Sequence, residues 1–167
     1  MNSSLELEFP ENLTREIEAL KTHYPEGKEK SALIPALHLV QAKFGWLSTE
    51  SMNEVATIMG LKPIEVYEVA TFYSMFHLRP VGKYVLEVCR TSPCCLNGAE
   101  KLIAYLQKKL NVQIGDTSED GLFTLKTVEC LAACGMAPVL QIGPEYTYFE
   151  NLNEEKVDQL LADLRLK

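Results

Sequence analysis

Five cysteines, Cys89, Cys94, Cys95, Cys130 and Cys134, are the residues whose type and spacing could do chemistry. They fall into two groups, a C-x4-C with Cys95 adjoining and a C-x3-C, and none lies before Cys89. Four thiolates brought together can hold a [2Fe–2S] cluster, two on each iron. A four-cysteine zinc site uses the same ligands, but structural zinc favours short spacings such as C-x2-C in compact knuckles. The longer loops here suit a wider two-iron rhomb. Vicinal Cys94 and Cys95 also raise dithiol redox chemistry, although a C-x-x-C opening a helix is absent. Four structural thiols without a cofactor are the remaining reading. A disulfide framework fits poorly, because the count is odd and the opening stretch does not resemble an export signal. His23, His38 and His77 all precede the first cysteine. They read as surface or satisfied core residues, which disfavours the two-histidine ligation of a Rieske centre. All-thiolate ligation would make a cluster anionic and its reduction potential low. Backbone N–H groups of Cys94–Gly98 are candidate donors to the sulfurs.

Two strands must deliver these groups. Lys83–Cys89 (KYVLEVC) reads as a mostly buried strand ending on the first cysteine, and Leu122–Val128 (LFTLKTV) as a second one ending just before Cys130. Between them Asn97 can cap a helix, with Glu100 three residues on as a capping-box variant. Ala99, Leu102, Ile103, Leu106 and Leu110 give that helix its apolar face. Gly115–Gly121 (GDTSEDG) is turn-rich. Val139–Ile142 and Tyr146–Phe149 flank Gly143-Pro144 and read as a hairpin. Asn153 can cap a last helix with Val157, Leu160, Leu161 and Leu164 inside. The order β-α-β-β-β-α predicts a parallel crossover between the first two strands and an antiparallel hairpin after it. The two cysteine loops would then leave neighbouring strands at one end of the sheet.

Upstream of Pro80 and Gly82 the hydrophobic period is helical throughout. One stripe is Leu13, Ile17, Leu20 and Tyr24, with Asn12 as N-cap, and the next is Leu33, Leu37, Val40 and Phe44, capped by Ser31. A third carries Met52, Val55, Ala56 and Met59, and a fourth, opened by Pro63, carries Val66, Val69, Ala70 and Tyr73. Gly45 and Gly60 stop the second and third helices. Residues 1–79 therefore read as a small helical bundle and 80–167 as a mixed four-stranded sheet with two helices, an α+β chain in two domains. Phe72, Tyr73, Met75 and Phe76 could anchor a partner or glue the two domains together.

Composition narrows the function. At 167 residues, 47% hydrophobic and 23% charged, with net charge −7, the chain can bury a core and is not disordered. An acidic chain lacks the Lys/Arg excess that binds nucleic acid. No apolar run approaches the roughly 20 residues that span a bilayer. The opening MNSSLELEFPE is acidic and has neither a basic n-region nor an apolar h-region, so a cytoplasmic globular protein is expected. GxGxxG and other Gly-rich phosphate loops are absent, so a nucleotide would have to sit on another chain.

With these residues on the page, VCRTSPCCLNGAEKL (Val88–Leu102) and VECLAACGMAPVLQI (Val128–Ile142) resemble the two cluster loops of a known family. It is the thioredoxin-like [2Fe–2S] subunit of NADH:quinone oxidoreductase, respiratory complex I. FGWLS (Phe44–Ser48) and EVYEVATFYSMF (Glu65–Phe76) resemble its helical domain, so the likeness covers nearly the whole chain. The resemblance implies that Cys89, Cys94, Cys130 and Cys134 are the ligands of one [2Fe–2S] cluster. Cys95 stands where the family has a non-ligand residue, and Ala132 where Gly is common. It implies a thioredoxin-like ferredoxin domain behind a helical docking domain. It further implies an electron-transfer subunit whose cluster exchanges one electron with FMN on a partner that also binds NADH. No complete active site is then expected on this chain, and no direct membrane insertion. Other peripheral-arm subunits would be partners, and the complex would hold the chain at the inner membrane from the cytoplasmic side. Related subunits serve NAD(P)-linked hydrogenases and formate dehydrogenases, which stay open as hosts. A zinc-stabilised interaction module and a stand-alone ferredoxin are the readings from other functional classes.

Overall fold

The computed structural model describes residues 9–167; most of the acidic opening stretch lies outside them. The chain divides into two compact units, one ending at Pro80 and the other spanning Val81–Lys167.

The first unit is helical. It comprises α1 (Glu11–Lys21), a 3-10 turn (Glu29–Ala32), α2 (Leu33–Phe44), α3 (Thr49–Met59) and α4 (Pro63–Phe72). The stripes converge on one core, in which Ile17, Leu37, Val40, Val55 and Val66 are fully buried. Pro63 opens α4 as expected, and Ser48, which the sequence reading did not single out, caps α3 through the Ser51 N–H at 3.1 Å. Asn12, however, lies inside α1, which begins behind Pro10 without a side-chain cap. Ser31 sits in the 3-10 turn that runs straight into α2. A missing cap costs about 1 kcal/mol. Burying Leu13 and Ile17 returns about 2 kcal/mol for each side chain, so packing rather than capping decides where α1 starts. Buried Gln41 ties down the stretch after α4: its amide donates to the Met75 carbonyl at 2.9 Å and accepts the His77 N–H at 2.7 Å. Phe76 is thereby buried against the His38 ring and Met75 packs on the core, whereas Phe72 is 80% exposed.

The second unit holds β1 (Tyr84–Cys89), α5 (Ser92–Leu96), α6 (Ala99–Leu110), β2 (Phe123–Val128), β3 (Leu140–Gly143), β4 (Thr147–Phe149) and α7 (Glu154–Arg165). Strand order is β2-β1-β3-β4, with β1 parallel to β2 and the other pairs antiparallel. This is the mixed α+β sheet expected, with α5 as an additional short helix. Alternation sends Tyr84, Leu86, Val88, Phe123, Leu125, Leu140 and Ile142 to one face, where the apolar stripes of α6 and α7 cover them. Asn153 caps α7 through the Lys156 N–H at 2.9 Å. Asn97 does not cap α6: its amide donates to the Pro93 carbonyl at 2.7 Å, and Gly98 stands before α6 with φ 97°. The residues of the turn-rich stretch run back along the outer edge of β2. Gly115 donates to the Leu125 carbonyl at 2.7 Å, Leu125 to that of Asp116 at 3.1 Å and Ser118 to that of Phe123 at 2.8 Å. No helix among the described residues is long and apolar enough to cross a membrane.

Gly82, just before β1, lies against the start of β2. A Cβ there would stand 2.8 Å from the Leu122 carbonyl carbon and 2.9 Å from the Phe123 nitrogen, both main-chain atoms. The Gly82 N–H also donates to the Thr124 hydroxyl at 2.7 Å. Gly82→Ala should therefore force the two strands apart and destabilise the protein by about 1–3 kcal/mol. Chemical denaturation followed by far-UV circular dichroism measures this, and an unchanged midpoint would contradict the packing described.

Candidate metal centre

The sheet explains how cysteines far apart in sequence meet. Cys89, the last residue of β1, is level with Val128, the last of β2. Parallel strands end at the same edge, so both loops start there. The pairing extends past the strands, with the Arg90 N–H donating to the Val128 carbonyl at 3.0 Å. The Cys89 N–H meanwhile donates to the Val139 carbonyl at 3.1 Å, on the segment that brings the second loop back into β3. The first loop folds at once into α5, which turns Cys94 inward. Cys89 and Cys94 are each 2% exposed, packed with Ala99 and Val139. Cys130 and Cys134 lie exposed on the second loop.

The four thiols are gathered as two pairs. Cys130 and Cys134 sulfurs are 3.6 Å apart, and Cys89 and Cys94 pack in one cluster, near enough for each thiol to shift the other. Two thiolates on one tetrahedral metal, with bonds of about 2.3 Å, stand ~3.8 Å apart. The exposed pair therefore has the spacing for sharing one metal. Among the described residues no three His, Cys, Asp or Glu side chains form a one-metal cage. Cys95 points away from the pairs: its thiol donates to the Arg90 carbonyl at 3.0 Å.

Main-chain N–H groups surround these sulfurs. Thr91 and Leu131 donate to Cys89, Val139 to Cys94, and Ala132 to Cys130 at 3.3 Å. Within Cys94–Gly98, the N–H groups of Cys95, Asn97 and Gly98 are not the donors expected, because carbonyls of α5 and its approach take them. The actual donors lie on the opposite loop and on the flanks of the first, positions that residue types do not mark. Nor did the sequence reading find the Thr91 hydroxyl, 3.3 Å from the Cys89 sulfur; a Thr two residues after a metal-binding cysteine is the signal that could have found it.

The thiols respond to these surroundings. Burial pushes Cys89 up, but the Thr91 hydroxyl and N–H, Cys94 and the Leu131 N–H together bring it below the usual thiol range. Burial pushes Cys94 up to about 11, reinforced by its neighbour Cys89. The Ala132 N–H, followed by Cys134, lowers Cys130, while Cys130 in turn raises Cys134. Each pair thus has one thiol lowered and one raised from the usual range, and holding a metal would take the proton from both. An all-thiol donor set ringed by N–H groups fits an anionic iron–sulfur group.

Comparison with known proteins agrees with this chemistry. Residues 17–165 match the family model described as thioredoxin-like [2Fe-2S] ferredoxin. The chain is 43% identical over 153 residues to an NADH-quinone oxidoreductase subunit of Rhizobium meliloti (strain 1021), covering 92% of this chain and 89% of that protein. It is likewise 43% identical over 153 residues to the corresponding NADH-quinone oxidoreductase subunit of Rickettsia felis, covering 91% and 90%. Among solved structures it superposes on an NAD+-reducing [NiFe]-hydrogenase in the air-oxidized state. There the TM-score is 0.70 and the identity 22%, over 80% of this chain and 23% of that one, a likeness of fold.

Ala132 adopts φ 59°, in the left-handed region, between the two cysteines of the second loop. That conformation costs a residue with a Cβ about 1–2 kcal/mol, more than the entropy a glycine would lose there. Ala132→Gly should therefore stabilise the closed loop by about 0.5–1 kcal/mol. Hydrogen exchange at the amides of residues 130–135 in the metal-free protein should slow accordingly; faster exchange would refute the strain.

Proposed function

The chain belongs to the thioredoxin-like [2Fe-2S] ferredoxin family, and from this premise we propose that it is the electron-transfer subunit of an NADH:quinone oxidoreductase. The observation that carries the reading is the meeting of two cysteine pairs at the shared end of β1 and β2. Cys89 and Cys94 would hold one iron from the buried side, and Cys130 and Cys134 the other from the exposed loop. When bound, the cluster supplies one-electron transfer, exchanged with a flavin on a partner subunit that also binds NADH. The protein's contribution is positional and electrostatic. Burial around Cys89 and Cys94 keeps water from that pair, and the converging N–H groups offset the negative charge of four thiolates. The chain works within a multi-subunit complex, which would hold it peripherally at the membrane. Identity of 43% over nine-tenths of the chain favours the quinone-linked host over a hydrogenase.

In this reading the helical unit helps dock the chain on the flavin-bearing subunit. Phe72, projecting from the end of α4 with its ring edge-to-face on Tyr73 at 5.0 Å, is the exposed anchor. Phe76 is instead internal to its unit.

Protein purified anaerobically should be red-brown with about two irons and two labile sulfides per chain, and dithionite should produce an S = 1/2 EPR signal. Cys89→Ala, Cys94→Ala, Cys130→Ala and Cys134→Ala should each abolish or severely deplete the cluster, while Cys95→Ala keeps it. Stoichiometric zinc without iron after reconstitution would refute the assignment, as would cluster loss in Cys95→Ala with retention in Cys94→Ala. Phe72→Ala should retain the cluster but bind the flavin-bearing subunit roughly tenfold more weakly, the scale of an aromatic anchor. Unchanged affinity by titration calorimetry would remove Phe72 from the interface.

A further inference from the structure

Thr91 occupies the N-cap position of α5, with extended backbone at φ −83° and ψ 166°. A threonine at such a position ordinarily turns its hydroxyl oxygen onto an N–H of the first helical turn. Here that bond is not made. The hydroxyl is directed instead to the Cys89 sulfur at 3.3 Å, and it helps to lower the Cys130 thiol on the other loop. It thus contacts the buried pair on the side that faces the second loop.

With neutral thiols either atom of the Thr91–Cys89 contact could donate. Metal binding removes that ambiguity, because a coordinated thiolate has no proton and only accepts, while a hydroxyl retains one proton to give. Donation to a thiolate favours whichever state carries more negative charge, and in an all-thiolate cluster that is the reduced one.

We infer that Thr91 is a positioning residue for the redox centre: its hydroxyl donates to the Cys89 sulfur at the junction of the two loops and raises the cluster's reduction potential. The inference rests on the four-cysteine reading proposed above. It assigns a role in tuning to a side chain that ligates nothing and is not needed to complete the metal coordination.

The test uses full-length protein reconstituted anaerobically, as wild type, Thr91→Val, Thr91→Ala and Thr91→Ser. Iron and sulfide are assayed first, and the midpoint potential is then read by EPR-monitored redox titration. Thr91→Val and Thr91→Ala should keep the full cluster with a midpoint shifted to more negative potential, and Thr91→Ser should restore the wild-type value. Loss of the cluster from the Val and Ala variants with retention in Ser would overturn the inference, because the hydroxyl would then be needed for assembly rather than for tuning. Unchanged midpoints in Val and Ala, or a Ser variant that behaves like them, would overturn the inference while leaving the ligand assignment intact. Failure of wild-type protein to bind iron and sulfide would overturn that assignment instead, and the inference with it.

Discussion

Parallel pairing of β1 with β2, level from Tyr84 and Phe123 to Cys89 and Val128, is the constraint on which the site depends. It places the carboxyl ends of both strands at one edge, so two loops far apart in sequence have to meet. A slip of one residue would reverse every side chain of β1, moving Leu86 and Val88 out of the core and taking Cys89 with them. The apolar burial that fixes the register for stability therefore also fixes the cysteine geometry. The segment at Val139 completes the arrangement, since its carbonyl holds the Cys89 N–H while its own N–H reaches Cys94.

The site must accept negative charge in a chain that is already acidic, at net −7. Arg90, next to Cys89, is engaged by Glu129 at 3.3 Å. Main-chain dipoles from Thr91, Leu131, Ala132 and Val139 supply the compensation. Such dipoles are fixed by the fold and need not reorganise when charge arrives. The two loops differ in how this is achieved. The first is held by strand pairing and burial, whereas the second relies on the left-handed turn at Ala132 to bring an N–H onto its own cysteine.

Much of this was legible in the residues. The change from a period near 3.6 to one near 2 after Pro80 separated helices from sheet, and the apolar stripes named the core because burial follows periodicity. The cysteine spacing favoured an iron–sulfur cluster over zinc, and the resemblance of the two loops to a known family carried the rest. Cap positions were less legible. Asn12, Ser31 and Asn97 all have the right side chains, yet Pro10, Ala32 and Gly98 occupy the N-cap positions. A cap contributes about 1 kcal/mol, and tertiary packing overrides it. The N–H donors were least legible, because every residue but proline carries one and only the folded path of the loop decides where it points.

Small mixed sheets carry a hazard that this one handles through its loops. The β2 edge is occupied by the chain segment running from Gly115 to Ser118, which takes up main-chain groups of Phe123 and Leu125. At the far side β4 has only three residues. Neither border offers a long open row of donors and acceptors to a second molecule. Self-association through added strands, a route to aggregates for exposed sheets, is therefore disfavoured, by cover at the start of β2 and by shortness at β4. A freshly made chain can stay dispersed while it waits for metal and for its place in a larger assembly.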